Sequence, residues 1–250
     1  MGARRDRAQP DLTQQATDIA ARSWPEPLEL VLVRHAEPDW EPGGRAIDEP
    51  GLSERGHRQA QRAARALRDL GPFDVIYMSP LRRVRETAAP ILAALGQDAI
   101  VQSWLAELGL PSLEGRTTDE VARFFSEVRA RDLAHWWDGM PGGESFRHFY
   151  ERVSAGIEGL LAGEHRLRVH EDGGHRIWQV PPSGRVLILA HEGTNAVLVS
   201  HLLGVDPVPW ASIRFTSAHA AIHRLRTTPV AKGAVWILEG FNSTEHLRDL

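Results

Sequence analysis

Three apolar runs of this chain each end on groups able to do chemistry with an anion. The run at residues 28–33 closes on Arg34-His35, the run ending at Met78 leads into Ser79-Pro80-Leu81-Arg82-Arg83, and the run ending at Ala190 leads into His191-Glu192-Gly193. Arginine carries a planar fork of donors matched to phosphate oxygens and stays charged at physiological pH. A histidine near neutral pH is substantially unprotonated, so one ring nitrogen can attack while the other is held by a hydrogen bond. If the three runs are neighbouring strands, two or three arginines and two histidines converge at one rim. Helices beginning after Arg34-His35, near Leu81 and near Thr194 would aim backbone N–H groups and the positive end of a dipole at the same point. Such a set suits phosphoryl transfer, in which charge on the equatorial oxygens must be stabilised. Taken singly, an Arg-His pair leaving a core or a lone His191 reads as structure; the conjunction carries the argument. A metal site on His35 and His191 lacks any HExxH-type spacing, and the adjacent arginines would repel a cation.

The elements that must position these groups follow from apolar runs bounded by turn residues. Strands are expected at 28–33, 73–78, 186–190, 220–225 and 234–238. Helical patterns lie between them at 53–70, opened by a serine able to cap it, and at 81–95, 118–131, 145–161 and 194–203. This alternation predicts an α/β fold, a three-layer α/β/α sandwich with a mainly parallel central sheet. In such sheets ligands bind beyond the carboxyl ends of the strands, where the polar groups stand. Two segments interrupt the pattern. Residues 105–143, rich in Gly, Pro and Trp, read as a lid-like excursion, and residues 166–180, with a central Asp-Gly-Gly, read as a hairpin insertion. Residues 1–27 are polar and read as a flexible N-terminal arm before a single domain at 28–250.

Composition narrows the function. A length of 250 residues allows a sizeable core, and 42% hydrophobic with 25% charged content is ordinary for a globular chain. The formal net charge of -4 argues against a nucleic-acid partner. Without cysteine, thiolate nucleophiles, disulfides and Cys-based zinc sites are excluded. The first residues lack the apolar core of a secretory signal, and no apolar run approaches the roughly 20 residues that span a bilayer, so no membrane partner is expected and the expected location is cytoplasmic.

The segments "RHAEPDW", "LSERGHRQA", "SPLRRVRETA", "LAELGLPSLEG", "GGES" and "LILAHEGTN", in that order, resemble the histidine phosphatase superfamily, the phosphoglycerate mutase-like proteins. The resemblance implies that His35 is a nucleophile forming a phosphohistidine. It implies that Arg34 and Arg83 bind the substrate phosphate, and that His191 holds the phosphoryl group and steadies its charge. Glu107 precedes Glu114-Gly115 by seven positions, as the family's proton donor does. Arg62, Arg82 and Arg85 match nothing and read as helix-face charges; His57, His148 and His219 default to surface or core.

Some positions depart from the pattern. Ala36 replaces the usual glycine, a methyl expected to be tolerated, and Glu192 stands where a glycine follows the second histidine. Mutases carry threonine and asparagine where this chain has Pro38 and Glu41, and an Arg-His-Tyr-Gly stretch where it has Leu108-Gly109-Leu110-Pro111. A carboxylate at Glu41 would repel a second substrate anion. The expectation is therefore a cofactor-independent phosphatase acting on phosphomonoesters of a small phosphorylated metabolite. The alternatives are a 2,3-bisphosphoglycerate-dependent phosphoglycerate mutase and a non-catalytic phosphate-binding module. Trp40, Glu41, Arg45, Trp136 and Trp137 could wall the pocket, and a homodimer through an exposed strand edge is compatible with the pattern, though no residue selects it.

Overall fold

The segment LELVLVR forms a central strand, β1 (Leu28–Arg34), because its apolar side chains are buried on both faces. In the computed structural model, which describes residues 26–180, 183–230 and 232–250, β1 lies inside a sheet of eight strands. The others are β2 (Val75–Met78), β3 (Ile100–Val101), β4 (Val169–Asp172), β5 (His175–Trp178), β6 (Gly184–Ala190), β7 (Ile222–Val230) and β8 (Gly233–Ser243). Their order is β3-β2-β6-β1-β7-β8-β5-β4. The predicted arm, but for its last two residues, lies outside the described residues.

The helices are α1 (Glu54–Leu70), α2 (Arg82–Leu95), α3 (Thr118–Arg129), α4 (Phe146–Gly163), α5 (Glu192–Leu202) and the short α6 (Ala211–Arg214). Successive residues of β1 face opposite sides of the sheet. Leu28, Leu30 and Leu32 join a core with Phe149, Val153 and Ile157 of α4, while Val31 and Val33 join another with Ala63, Leu67, Val84 and Ile91 of α1 and α2. The three-layer expectation therefore holds. Ser53 caps α1 as predicted, its hydroxyl accepting from the Gly56 N–H at 3.0 Å.

The sheet is mixed rather than mainly parallel. β3, β2, β6 and β1 pair in parallel, whereas every pairing from β1 through β7, β8 and β5 to β4 is antiparallel. Short connections account for part of this, since two strands joined by a few residues can only fold back on each other, whereas parallel neighbours need a long crossover. The β7–β8 and β4–β5 links are of the short kind. In the latter Gly173 and Gly174 adopt positive φ (58° and 80°), the pattern of a two-residue hairpin turn. The predicted hairpin is thus present and extends the sheet: Trp178 pairs with Ala234 and packs edge-on to Trp236 with centroids 6.2 Å apart.

Within the 105–143 excursion the only α-helix is α3, capped reciprocally by Thr117 and Glu120, and none of its residues is buried; a 3-10 helix follows at Leu133–Asp138. The excursion is tied back to the loop after β1. The Leu113 N–H donates to Asp48 at 2.8 Å, the Ala46 N–H donates to the Arg116 carbonyl, and Arg45 bridges to Thr117. Among the described residues no helix is long and apolar enough to cross a membrane.

Candidate active site

The parallel half of the sheet sets three strand ends side by side. Arg34 of β1 is in register with Ala190 of β6, and Met78 of β2 with Leu189. The ladder continues one residue further, with the His35 N–H donating to the Ala190 carbonyl at 2.9 Å and the Ser79 N–H to the Leu189 carbonyl at 3.0 Å. His35, Ser79 and His191 therefore emerge together at the carboxyl rim.

The His35 ring is buried with Nδ1 2.8 Å from the Ala36 carbonyl oxygen. A carbonyl only accepts, so Nδ1 carries the hydrogen and the lone pair of Nε2 is left for chemistry. Burial, then Arg83 and Arg34, hold His35 well below the ordinary histidine pKa, which keeps it neutral at pH 7. The same turn is anchored from α2. The Ala36 N–H donates to Thr87 Oγ1 at 2.9 Å, and that hydroxyl donates to the Arg83 carbonyl at 2.7 Å. Ala36 is fully buried without a positive φ, so the methyl fits.

His191 packs edge-on against His35, ring centroids 5.2 Å apart. Its Nε2 lies 2.7 Å from Ser79 Oγ, while its buried Nδ1 has no protein partner. Burial and Arg83 lower its pKa well below the ordinary value. The two arginines flank this pair. Arg34 donates to the Ser217 carbonyl and meets Glu192 at 3.1 Å, and Arg83 lies 5.0 Å beneath the Trp40 ring with Glu49 at 3.8 Å. Both guanidinium groups retain a buried Nε–H with no protein acceptor. Donors left over in this way suit an anion the protein does not itself supply.

Glu107 accepts hydrogen bonds from the Gly193 N–H at 2.9 Å and the Leu108 N–H at 3.0 Å. These bonds and the two arginines favour the carboxylate, yet burial outweighs them and raises the pKa. Glycine at 193 is what lets the acid approach the helix so closely, because a Cβ there would stand 2.5 Å from Glu107 Oε1. Part of the α5 N-terminus is therefore given to the acid rather than to the anion. The helix that follows Arg34-His35 starts at Glu54 behind its Ser53 cap, and residues 36–53 before it form a loop with one 3-10 turn. That loop is what reaches the excursion.

Arg34, His35, Arg83 and Glu107 line one cavity of about 850 Å³, and His191 sits wholly buried behind His35 rather than on its wall. Of the five predicted wall residues, Trp40 and Glu41 do line it. Arg45 instead donates to the Gly115 carbonyl at 2.9 Å, Trp136 stacks between Phe146 and Trp210, and Trp137 lies under Arg147. His148 pairs with Glu144 on the surface, as its default reading implies. His219 does not follow that default. Its ring is 5.6 Å from His35, and burial and Arg34 lower its pKa to about 4. Because β7 runs antiparallel to β1, with Val33 opposite Ile222, the residues just before β7 return to the catalytic rim. Ser79 and Thr87 were equally without an assigned role in the sequence. Among the described residues no three His, Asp or Glu side chains cluster as metal ligands.

Known proteins share this fold. The chain is similar to the solved structure of mycobacterial glucosyl-3-phosphoglycerate phosphatase at 26% identity and a TM-score of 0.65, over 86% of this chain and 99% of that one. The alpha-ribazole phosphatase of Shigella flexneri shares the fold at 23% identity and a TM-score of 0.63, over 86% and 96% of the two chains. Among curated sequences, a protein named "Probable phosphoglycerate mutase GpmB" of Escherichia coli O1:K1 is 30% identical over 227 residues, 88% of this chain and 95% of that protein. The family profile of the histidine phosphatase superfamily (branch 1) matches residues 30–237, a span that runs from β1 into β8 and includes every strand end described above. The chain belongs to the histidine phosphatase superfamily.

Proposed function

We propose that this protein hydrolyses a small phosphomonoester through a phosphohistidine on His35, without a cofactor. The observation that carries the reading is the setting of His35: its tautomer is fixed by the Ala36 carbonyl, and Arg34 and Arg83 flank it, each with a buried Nε–H that has no protein acceptor, while burial favours its neutral form. The phosphate sits between Arg34 and Arg83. Nε2 of His35 bonds to phosphorus as the bond to the ester oxygen breaks, and the departing oxygen takes the proton of Glu107, whose raised pKa suits it to give one. Water then attacks phosphorus and loses its proton to the Glu107 carboxylate while the electron pair of the P–N bond returns to Nε2. Ser79 bears on His191 in the same steps. Its hydroxyl oxygen accepts from the Leu81 N–H at 3.3 Å and lies 2.7 Å from His191 Nε2; in this reading its hydrogen is given to Nε2, which leaves Nδ1–H as a donor to the phosphoryl oxygens.

Hydrolysis is favoured over transfer by the residues on the wall. Glu41, Leu108, Gly109, Leu110 and Pro111 all line the cavity where a mutase needs groups that hold a second anion. The mutase reading rests on the name of the Escherichia coli relative. Rapid-quench trapping with labelled phosphoesters decides between them. An acid-labile, base-stable adduct that forms in wild type, is absent in His35→Ala and decays to inorganic phosphate is the expected result. Passage of the adduct to phosphoglycerate, or a requirement for 2,3-bisphosphoglycerate, would establish the mutase, and equal phosphate release by His35→Ala would remove the phosphohistidine.

A further inference from the structure

We infer that the alcohol half of the substrate is an extended, uncharged apolar group seated against α3. The inference rests on the phosphatase reading only for which end of the ligand meets the arginines.

The first observation is α3 itself. It carries Val121, Phe124, Phe125 and Val128, yet none of its residues is buried. An amphipathic helix is ordinarily held by burying its apolar face. Here Val121, Phe125 and Arg129, spaced by four and so sharing one face, look into the cavity that contains His35. No protein core stands opposite them. The second observation is what closes the rest of that space. Leu110, Leu113 and Met140 of the excursion, Phe146 at the start of α4, and Val208 and Pro209 from the β6–β7 connection line it as well. At about 850 Å³ the cavity lies in the upper part of the range that encloses drug-sized ligands, far beyond the needs of a phosphate with a short polar alcohol.

The third observation is charge. Outside the pair Arg34 and Arg83, the wall holds the carboxyl groups of Glu41, Asp48, Glu49, Glu107 and Glu192 and, among the described residues, a single further cation, the solvent-exposed Arg129. A second phosphate or a carboxylate next to the ester would face like charge near the clamp. An apolar chain loses nothing to these groups and removes the faces of Phe125, Met140 and Phe146 from water.

Calorimetric titration of the full chain with n-alkylphosphonates from methyl to octyl tests the inference without requiring turnover. Affinity should rise about fourfold per added methylene, the factor for transferring a CH2 from water to an apolar site. Phe125→Asp and, separately, Val121→Asp should flatten that slope, and a circular dichroism spectrum identical to wild type would show the fold intact. In parallel, phosphate release should be faster at equal low concentration from octyl phosphate than from 3-phosphoglycerate. A flat phosphonate series, or preference for 3-phosphoglycerate, overturns the inference. A steep series in a protein that releases phosphate from no ester supports the apolar seat and instead refutes the phosphatase reading.

Discussion

Replacing Gly193 by alanine isolates the role of Glu107 from that of the phosphate clamp. The new Cβ would stand 2.5 Å from Glu107 Oε1, about 0.9 Å inside the 3.4 Å at which ordinary contact begins. The backbone of α5 is held by its own helix and by His191, so the carboxyl group moves and its 2.9 Å bond from the Gly193 N–H is strained or lost. Displacing a reacting group by about 1 Å costs on the order of 100-fold, within the range of 10²–10⁴ that general acid catalysis contributes. The backbone itself accepts alanine, because Gly193 stands in the first turn of α5 without a positive φ, so the strain falls on the carboxyl group. The loss must fall on esters whose departing oxygen needs a proton. Because hydrolysis of the phosphohistidine, in which Glu107 takes the proton of water, is common to all esters, the comparison is made on kcat/KM, which reports formation of the adduct: it should fall about 100-fold on an alkyl phosphate and less than about fivefold on 4-nitrophenyl phosphate, whose phenolate leaves unprotonated. Equal losses on both substrates, or none on the alkyl ester, would refute Glu107 as the proton donor.

Other expectations follow from the same geometry. Thr87→Val keeps the shape of the side chain but removes the acceptor of the buried Ala36 N–H, which should cost about 1–3 kcal/mol in urea unfolding and lower kcat through the misplaced His35. On the acid side, kcat/KM should persist well below pH 6.5, because His35 must be neutral and its folded pKa is depressed; on the basic side it should fall as pH rises through the raised pKa of Glu107, whose acid form is needed. A pH–rate profile whose acid limb sits at or above 6.5 would contradict this. Stability has its own signature: His219 and His223 both fall from 6.5 to about 4 on folding, so below pH 6.5 the unfolded chain binds more protons and stability drops as pH falls from 6.5 towards 4. Thermal melts at pH 7, 5.5 and 4.5 should show a descending Tm, and His223→Phe should blunt the descent.

The chemistry at the phosphate end was legible because it depends on local sequence and one topological rule. A strand that runs out of apolar residues must leave the sheet, and in a parallel sheet all such exits share one rim; Arg34-His35, Ser79 to Arg83 and His191 could be placed together from that alone. Glu107 was reachable only through the resemblance, since its partners, Gly193 and the two arginines, are far from it in sequence. His219 was out of reach for a more specific reason. Assuming a mainly parallel sheet puts the start of β7 at the opposite edge from His35, whereas the antiparallel pairing of β7 with β1 brings Ala218 to Ala221 back to the rim, with the Ala220 N–H donating to the His35 carbonyl and the Arg34 N–H to the Ala221 carbonyl.

The same distinction separates what the sequence says of reaction from what it says of substrate. The groups that act on phosphorus lie within a residue or two of strand ends, where hydrogen-bond register holds them to fractions of an ångström and leaves little freedom to selection. Most of the groups that meet the alcohol come from residues 105–146, a stretch with one α-helix and one 3-10 helix of its own, no strand and few buried side chains. Its placement depends on single ties such as Leu113 to Asp48 and Arg45 to Gly115, which no periodicity announces. Substitutions there alter the shape of the cavity without disturbing either core of the sheet, so specificity can change while the phosphoryl chemistry does not. On that account Phe125 and Val121 are as informative about this protein's substrate as His35 is about its reaction, although only the second could be found by reading along the chain.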